Sequence, residues 1–80
     1  MIKLNRHVEM LEKLQERIEE KIDELQVKMD EIEELADDAG RDMTAREVAR
    51  YERFEEQRDE LQSEFDDIDN ALDYLRDYAD

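Results

Sequence analysis

Carboxylates dominate the side chains here that could do chemistry. The densest run, Asp66-Asp67-Ile68-Asp69-Asn70, has the residue types of a calcium loop. It lacks the glycine such a loop needs at its sharp turn and the bidentate glutamate at its end. It also falls inside a helical apolar pattern, so a solvated helix face is expected instead. A di-iron centre in a helical bundle needs inward-facing Glu-x-x-His pairs. The chain has one histidine, His7, which belongs to no such pair and is expected at the surface or in an interface. Ser63 has no histidine near it in the pattern and falls on the solvent side. There is no cysteine, hence no thiolate nucleophile, thiolate metal site or disulfide. No glycine-rich phosphate loop is present, and so short a chain has no room for a deep pocket. No catalytic residue, metal ligand or cofactor is expected, and no enzymatic activity.

A second set of carboxylates has a spacing of its own. From Asp59 to Asp80 there are nine acids and one base, Arg76. Asp59, Asp66, Asp73 and Asp80 recur every seven residues, with Asp77 on the neighbouring row. Aspartate is a poorer helix former than glutamate, and acids near a helix C-terminus oppose the helix dipole. Such a local conflict can mark function. A rod of carboxylates can imitate a phosphate backbone and occupy the groove of a basic nucleic-acid-binding protein; it can equally be the solvated face of an acidic protein.

These side chains need helices to position them, and one stretch sets the helices out. Gly40 is the only glycine in a chain without proline. It suits the left-handed residue that closes a helix C-terminus. Four residues later, Thr44 and Glu47 have the spacing of a capping box, and Met43 and Val48 that of a hydrophobic staple. The spacing predicts a helix over about 2–39, a turn over 40–44 and a second helix over about 45–79. A connection this short forces the helices to run antiparallel.

Both segments carry a heptad repeat. In the first, Met1, Val8, Gln15, Ile22, Met29 and Ala36 occupy a, and Leu4, Leu11, Ile18, Leu25, Ile32 and Ala39 occupy d. Gln15 is the one polar member, a candidate for fixing register. In the second, Tyr51, Arg58, Phe65, Leu72 and Ala79 occupy a, and Glu47, Phe54, Leu61, Ile68 and Leu75 occupy d. Glu47 is accounted for by the capping box. The stem of Arg58 can lie along the seam while its guanidinium reaches a flanking carboxylate. If the helices turn back at Gly40 and Thr44, facing residues have numbers that add to about 83. An a position then meets a d position each time, so turn and heptads agree.

Apolar residues outside the seam point to an interface. Met10, Leu14, Leu35, Ala71, Tyr74 and Tyr78 fall on or beside the g flank, which is shared by both helices of an antiparallel pair; all but Leu35 gather at the open end. One seam is a thin core for a domain of this size. Two copies related by a two-fold axis would bury the flank against itself. The expected fold is all-α: an antiparallel two-helix coiled-coil hairpin, residues 1–80 forming one domain, completed to a four-helix bundle by dimerisation.

Composition restricts the work such a fold can do. Of 80 residues, 49% are charged and the net charge is −15, which repels nucleic acid and anionic membranes and favours basic partners. No apolar run approaches the ~20 residues of a membrane span. The N-terminus leads into charge rather than a signal peptide's apolar region, so the expected location is cytoplasmic. In architecture the chain resembles small dimeric RNA-binding hairpins that form four-helix bundles. Those present basic faces and this chain an acidic one, so the resemblance carries no function. The expectation is a non-enzymatic protein–protein interaction module, an adaptor, assembly chaperone or small regulator, with itself or another protein as partner. The alternative is an acidic inhibitor, possibly of phage type, that mimics nucleic acid to block a basic protein.

Overall fold

The computed structural model describes the backbone of residues 2–79 and the side chains of residues 5–78. Met1, Leu4 and Ala79 of the expected seam, and Asp80 of the acidic line, lie outside the described side chains. Two helices, α1 (Ile2–Asp38) and α2 (Ala45–Ala79), pack against each other as a hairpin. The rod measures 58 × 15 × 14 Å.

The reversal is built from backbone chemistry. Gly40 has a φ of 64°. Its N–H donates to the Asp37 carbonyl (3.0 Å), and the Arg41 N–H donates to the Ala36 carbonyl (3.1 Å). These nested bonds form a Schellman motif with Gly40 as its left-handed residue. They end α1 at Asp38, one residue before the expected boundary, so Ala39 is exposed in the turn rather than seated in the seam.

Thr44 and Glu47 then start α2 reciprocally. The Glu47 N–H donates to Thr44 Oγ1 at 3.1 Å, and the Thr44 N–H donates to Glu47 Oε1 at 2.8 Å. Arg41 adds a fork: Nη1 lies 2.6 Å from Glu47 Oε1, and Nη2 3.3 Å from Oε2. The residue that leaves the first helix thereby clamps the one that begins the second. This arginine and the Thr44 N–H hold the Glu47 carboxyl down to about 2 from an ordinary value of 4.5. Met43 and Val48 are half-buried.

The heptads account for the packing. Every described a and d position within the helices is shielded from solvent. Ile18, Leu25, Met29, Ile32, Ala36 and Leu72 are buried, with Met29 and Leu72 at 0% exposure. The rest of the seam is half-buried, as a single line of contact between two helices dictates. Gln15 is tolerated in the seam because it reaches across: its Nε2 lies 3.4 Å from the Phe65 carbonyl and 3.5 Å from Asp69 Oδ1. Arg58 lies half-buried along the seam and donates to Gln26 Oε1 at 3.0 Å, with Asp59 Oδ1 3.4 Å from its other nitrogen. The Arg58–Gln26 and Gln15–Asp69 links both join residues whose numbers add to 84, one away from the register set by the turn.

Candidate interaction surface

The two flanks of the seam are unlike. Outside the a and d positions, the partly shielded helical residues are Gln26, Val48 and Glu55, all at e. The e side also carries the polar links between the helices. Arg58 reaches Gln26 there, Gln15 reaches Asp69, and Arg76 Nη2 lies 3.9 Å from Glu12 Oε2. The phenol pKa of Tyr51 is raised, first by the Glu33 carboxylate on the same side. The helices are thus rolled together toward e. All g positions among the described residues are exposed. No side-chain hydrogen bond or ion pair joins the helices on the g side among the described residues; there the Lys28 ammonium stands 5.7 Å from the centre of the Phe54 ring.

The apolar residues expected at an interface stand on this open side. Met10 (66%), Tyr74 (64%), Tyr78 (65%), Leu35 (60%) and Leu14 (43%) are the exposed large apolar side chains there, and Ala71 is exposed beside them. The Tyr74 and Tyr78 rings stack with centroids 5.0 Å apart and planes tilted by 48°. Met10 and Leu14 line one shallow groove with Lys13 and Arg17. Leu35 belongs to the same flank but stands ~31 Å from Leu14 along the helix, at 1.5 Å per residue. Val27, also exposed, is on the outer face at f.

The carboxylate line lies on a different surface. Asp59, Asp66, Asp73 and Asp77 are all exposed. Asp59 is paired with Arg58, and Asp66 accepts from Gln62 Nε2 at 3.2 Å. Arg76, the one base of that stretch, is drawn across to Glu12, so the cation paired with the line is Arg58 at its near end. Among the described residues, no cluster of three or more His, Cys, Asp or Glu side chains is arranged to hold a metal ion. His7 and Ser63 are exposed. No helix among the described residues is long and apolar enough to cross a membrane.

Sequence reasoning did not find the Arg41 fork or the roll toward e. The spacing of Arg41 and Glu47 across a turn carries no helical signature. The roll could have been read from the e row, whose acids and amides face polar partners on the other helix, such as Glu12 with Arg76, against a g row that carries Leu14, Leu35, Ala71 and Tyr78. Compared with protein-family models, with curated proteins and with solved structures, the chain matches none.

Proposed function

We propose that this chain is a non-enzymatic, cytoplasmic helical-hairpin interaction module, an adaptor or small regulator that works through its g-side flank. Its first partner is a second copy of itself, completing a four-helix bundle. The observation that supports this most is the placement of Met10, Leu14, Tyr74 and Tyr78: four large apolar side chains exposed on one side of an otherwise highly charged rod. Burial of apolar surface contributes about 25 cal/mol per Å², so covering them is worth several kcal/mol before the losses of association. Repulsion between two chains of net charge −15 opposes dimerisation, so association tightens as salt is added. Sedimentation equilibrium at low and high salt is the test. The wild type should dimerise, more tightly at high salt, and the Leu14→Glu, Tyr78→Glu variant should be monomeric. A wild type that stays monomeric at tens of micromolar in both salts rejects the homodimer.

A second use of the molecule has its own support in the uninterrupted carboxylate line. Asp59, Asp66, Asp73 and Asp77 could occupy the groove of a basic nucleic-acid-binding protein, making the chain a decoy. An affinity pull-down from the native host distinguishes the two. A nuclease, polymerase or repressor released by salt favours the decoy, and a helical protein retained in salt favours the adaptor.

A further inference from the structure

The charge of this protein is distributed very unevenly about its long axis. At the b and e positions from Asn5 to Arg76 there are fourteen acids and one base, Arg76. At the c and g positions from His7 to Tyr78 there are six acids and six bases. A chain of net charge −15 therefore has one side that is electrically balanced. It is the open g side, which also carries the exposed apolar residues.

The balance has an order. At the c positions, Met10, Arg17, Glu24, Glu31 and Asp38 on α1 stand level with Tyr74, Asp67, Glu60, Arg53 and Arg46 on α2, each pair of numbers adding to 84. Four of these five rungs match: one apolar with aromatic, three acid with base. At the g positions one register step away, Lys21 stands level with Glu64 and Leu14 with Ala71. The c positions of one hairpin lie beyond the g positions, farther from its own seam, which disfavours pairing across it. Consistent with this, the ion pairs among the described residues are Arg41–Glu47, Arg58–Asp59 and Arg76–Glu12, and no c residue takes part. Within each helix, the grouping of Arg46, Arg50 and Arg53 at three- and four-residue spacing is locally unfavourable, and cations in the first turns of α2 oppose its dipole. A second copy supplies what the chain itself does not.

We infer that two copies pair about a two-fold axis running along the rod, with α2 of each hairpin lying antiparallel against α1 of the other, and that the c-position rungs set this register. The inference rests on the proposed homodimer and specifies its geometry. The axis places α2 and the partner's α1 side by side at equal levels, with g residues between them and c residues along the outer edge. Arg46 then meets the partner's Asp38, Arg53 meets the partner's Glu31, Asp67 meets the partner's Arg17, and Tyr74 meets the partner's Met10. The mismatched rung, Glu24 with Glu60, lies in a groove that Lys21, Lys28 and Glu64 also line, where two ammonium groups face three carboxylates. A two-fold axis across the rod does worse. Placed across the middle of the rod, with facing numbers adding to 41 on α1 and 127 on α2, it matches Arg17 with Glu24 but sets Glu60 against Asp67 and Met10 against Glu31. The balanced side is buried and the acidic side faces solvent, which keeps most of the like charge of the two chains apart.

Charge-reversed chains test the register. One variant carries Arg46→Glu and Arg53→Glu; the other carries Glu31→Arg and Asp38→Arg. All four positions are exposed, and circular dichroism should show both variants as helical as the wild type. Each alone sets like charges on four rungs of its homodimer, and its dissociation constant should rise by about tenfold or more. The second variant is the sharper case. Two changes of +2 take its net charge from −15 to −11, so general repulsion falls and yet its homodimer should weaken. Mixed in equal amounts, the two variants have every altered rung matched again and should form a heterodimer as tight as the wild-type dimer. Sedimentation equilibrium of each variant and of the mixture gives the answer. A dimeric wild type whose variants do not restore each other on mixing, or a Glu31→Arg, Asp38→Arg chain that dimerises more tightly than wild type, overturns this register and leaves the dimer standing. A monomeric wild type overturns the dimer itself.

Discussion

Glu47 is the residue on which the fold turns. Its backbone N–H is capped by Thr44, its carboxylate caps the Thr44 N–H, and Arg41 grips the same carboxylate from across the turn. Thr44→Ala removes one half of the reciprocal cap and should destabilise the hairpin by about 1 kcal/mol in chemical denaturation. The pH dependence follows from the depressed carboxyl, which lies at about 2 when folded and near 4.5 when free. The folded state holds Glu47 ionised, so its contribution is complete above pH 4.5 and is lost as the pH falls toward 2. Glu47→Gln keeps a side chain able to cap but has no charge for Arg41. Its deficit in stability relative to wild type should therefore shrink as pH falls across that window, in paired urea titrations. The box itself was legible from Thr44-x-x-Glu47, because its partners are three residues apart in one helix. The Arg41 fork was not, because its geometry exists only once Gly40 has turned the chain.

At the scale of the helices, the seam tolerates two polar members for the same reason: each finds a partner on the opposite helix. Gln15 reaches the Phe65 carbonyl and Asp69, and Arg58 reaches Gln26. Their contacts hold the helices at this level, since sliding one along the other breaks both of these links. Arg58→Met keeps an unbranched stem in the seam and removes the need to hold a guanidinium half-buried. It should leave stability within about 1 kcal/mol of wild type or raise it, read as the midpoint of thermal unfolding, while specificity of register loosens. Heptad phase was readable for both helices down to single residues, and the shielding of every described a and d position within the helices follows it. The end of α1 was displaced by one residue, because the Schellman bonds take Ala39 out of the helix.

For the whole molecule, charge is the controlling quantity. Fourteen carboxylates share the b and e side of the rod, where neighbours three or four residues apart lie within a screening length at moderate salt. Replacing Asp59, Asp66, Asp73 and Asp77 by Asn relieves part of that repulsion and improves the match to the dipole at the end of α2. The fold should persist, and its thermal midpoint at low salt should rise, with the gain fading as salt is added. Because these residues lie away from the balanced side, self-association should remain. If the line serves a basic partner, the same variant should bind it more weakly and with a flatter salt dependence.

The sequence alone determined the number of helices, their limits to within a residue, the antiparallel turn and the composition of the seam. All of these are set by local chemistry: a residue that tolerates positive φ, a cap whose partners are three apart, and apolar spacing that only a helix can bring to one face. It also placed Met10, Leu14, Tyr74 and Tyr78 on a common flank. Only the tertiary structure decided which flank is closed. The roll of α1 and α2 toward e depends on where Arg58, Gln15 and Arg76 find partners on the other helix, and these are contacts between residues up to sixty-four positions apart. That roll leaves g open, and with it the one side of the rod on which acids and bases are equal in number.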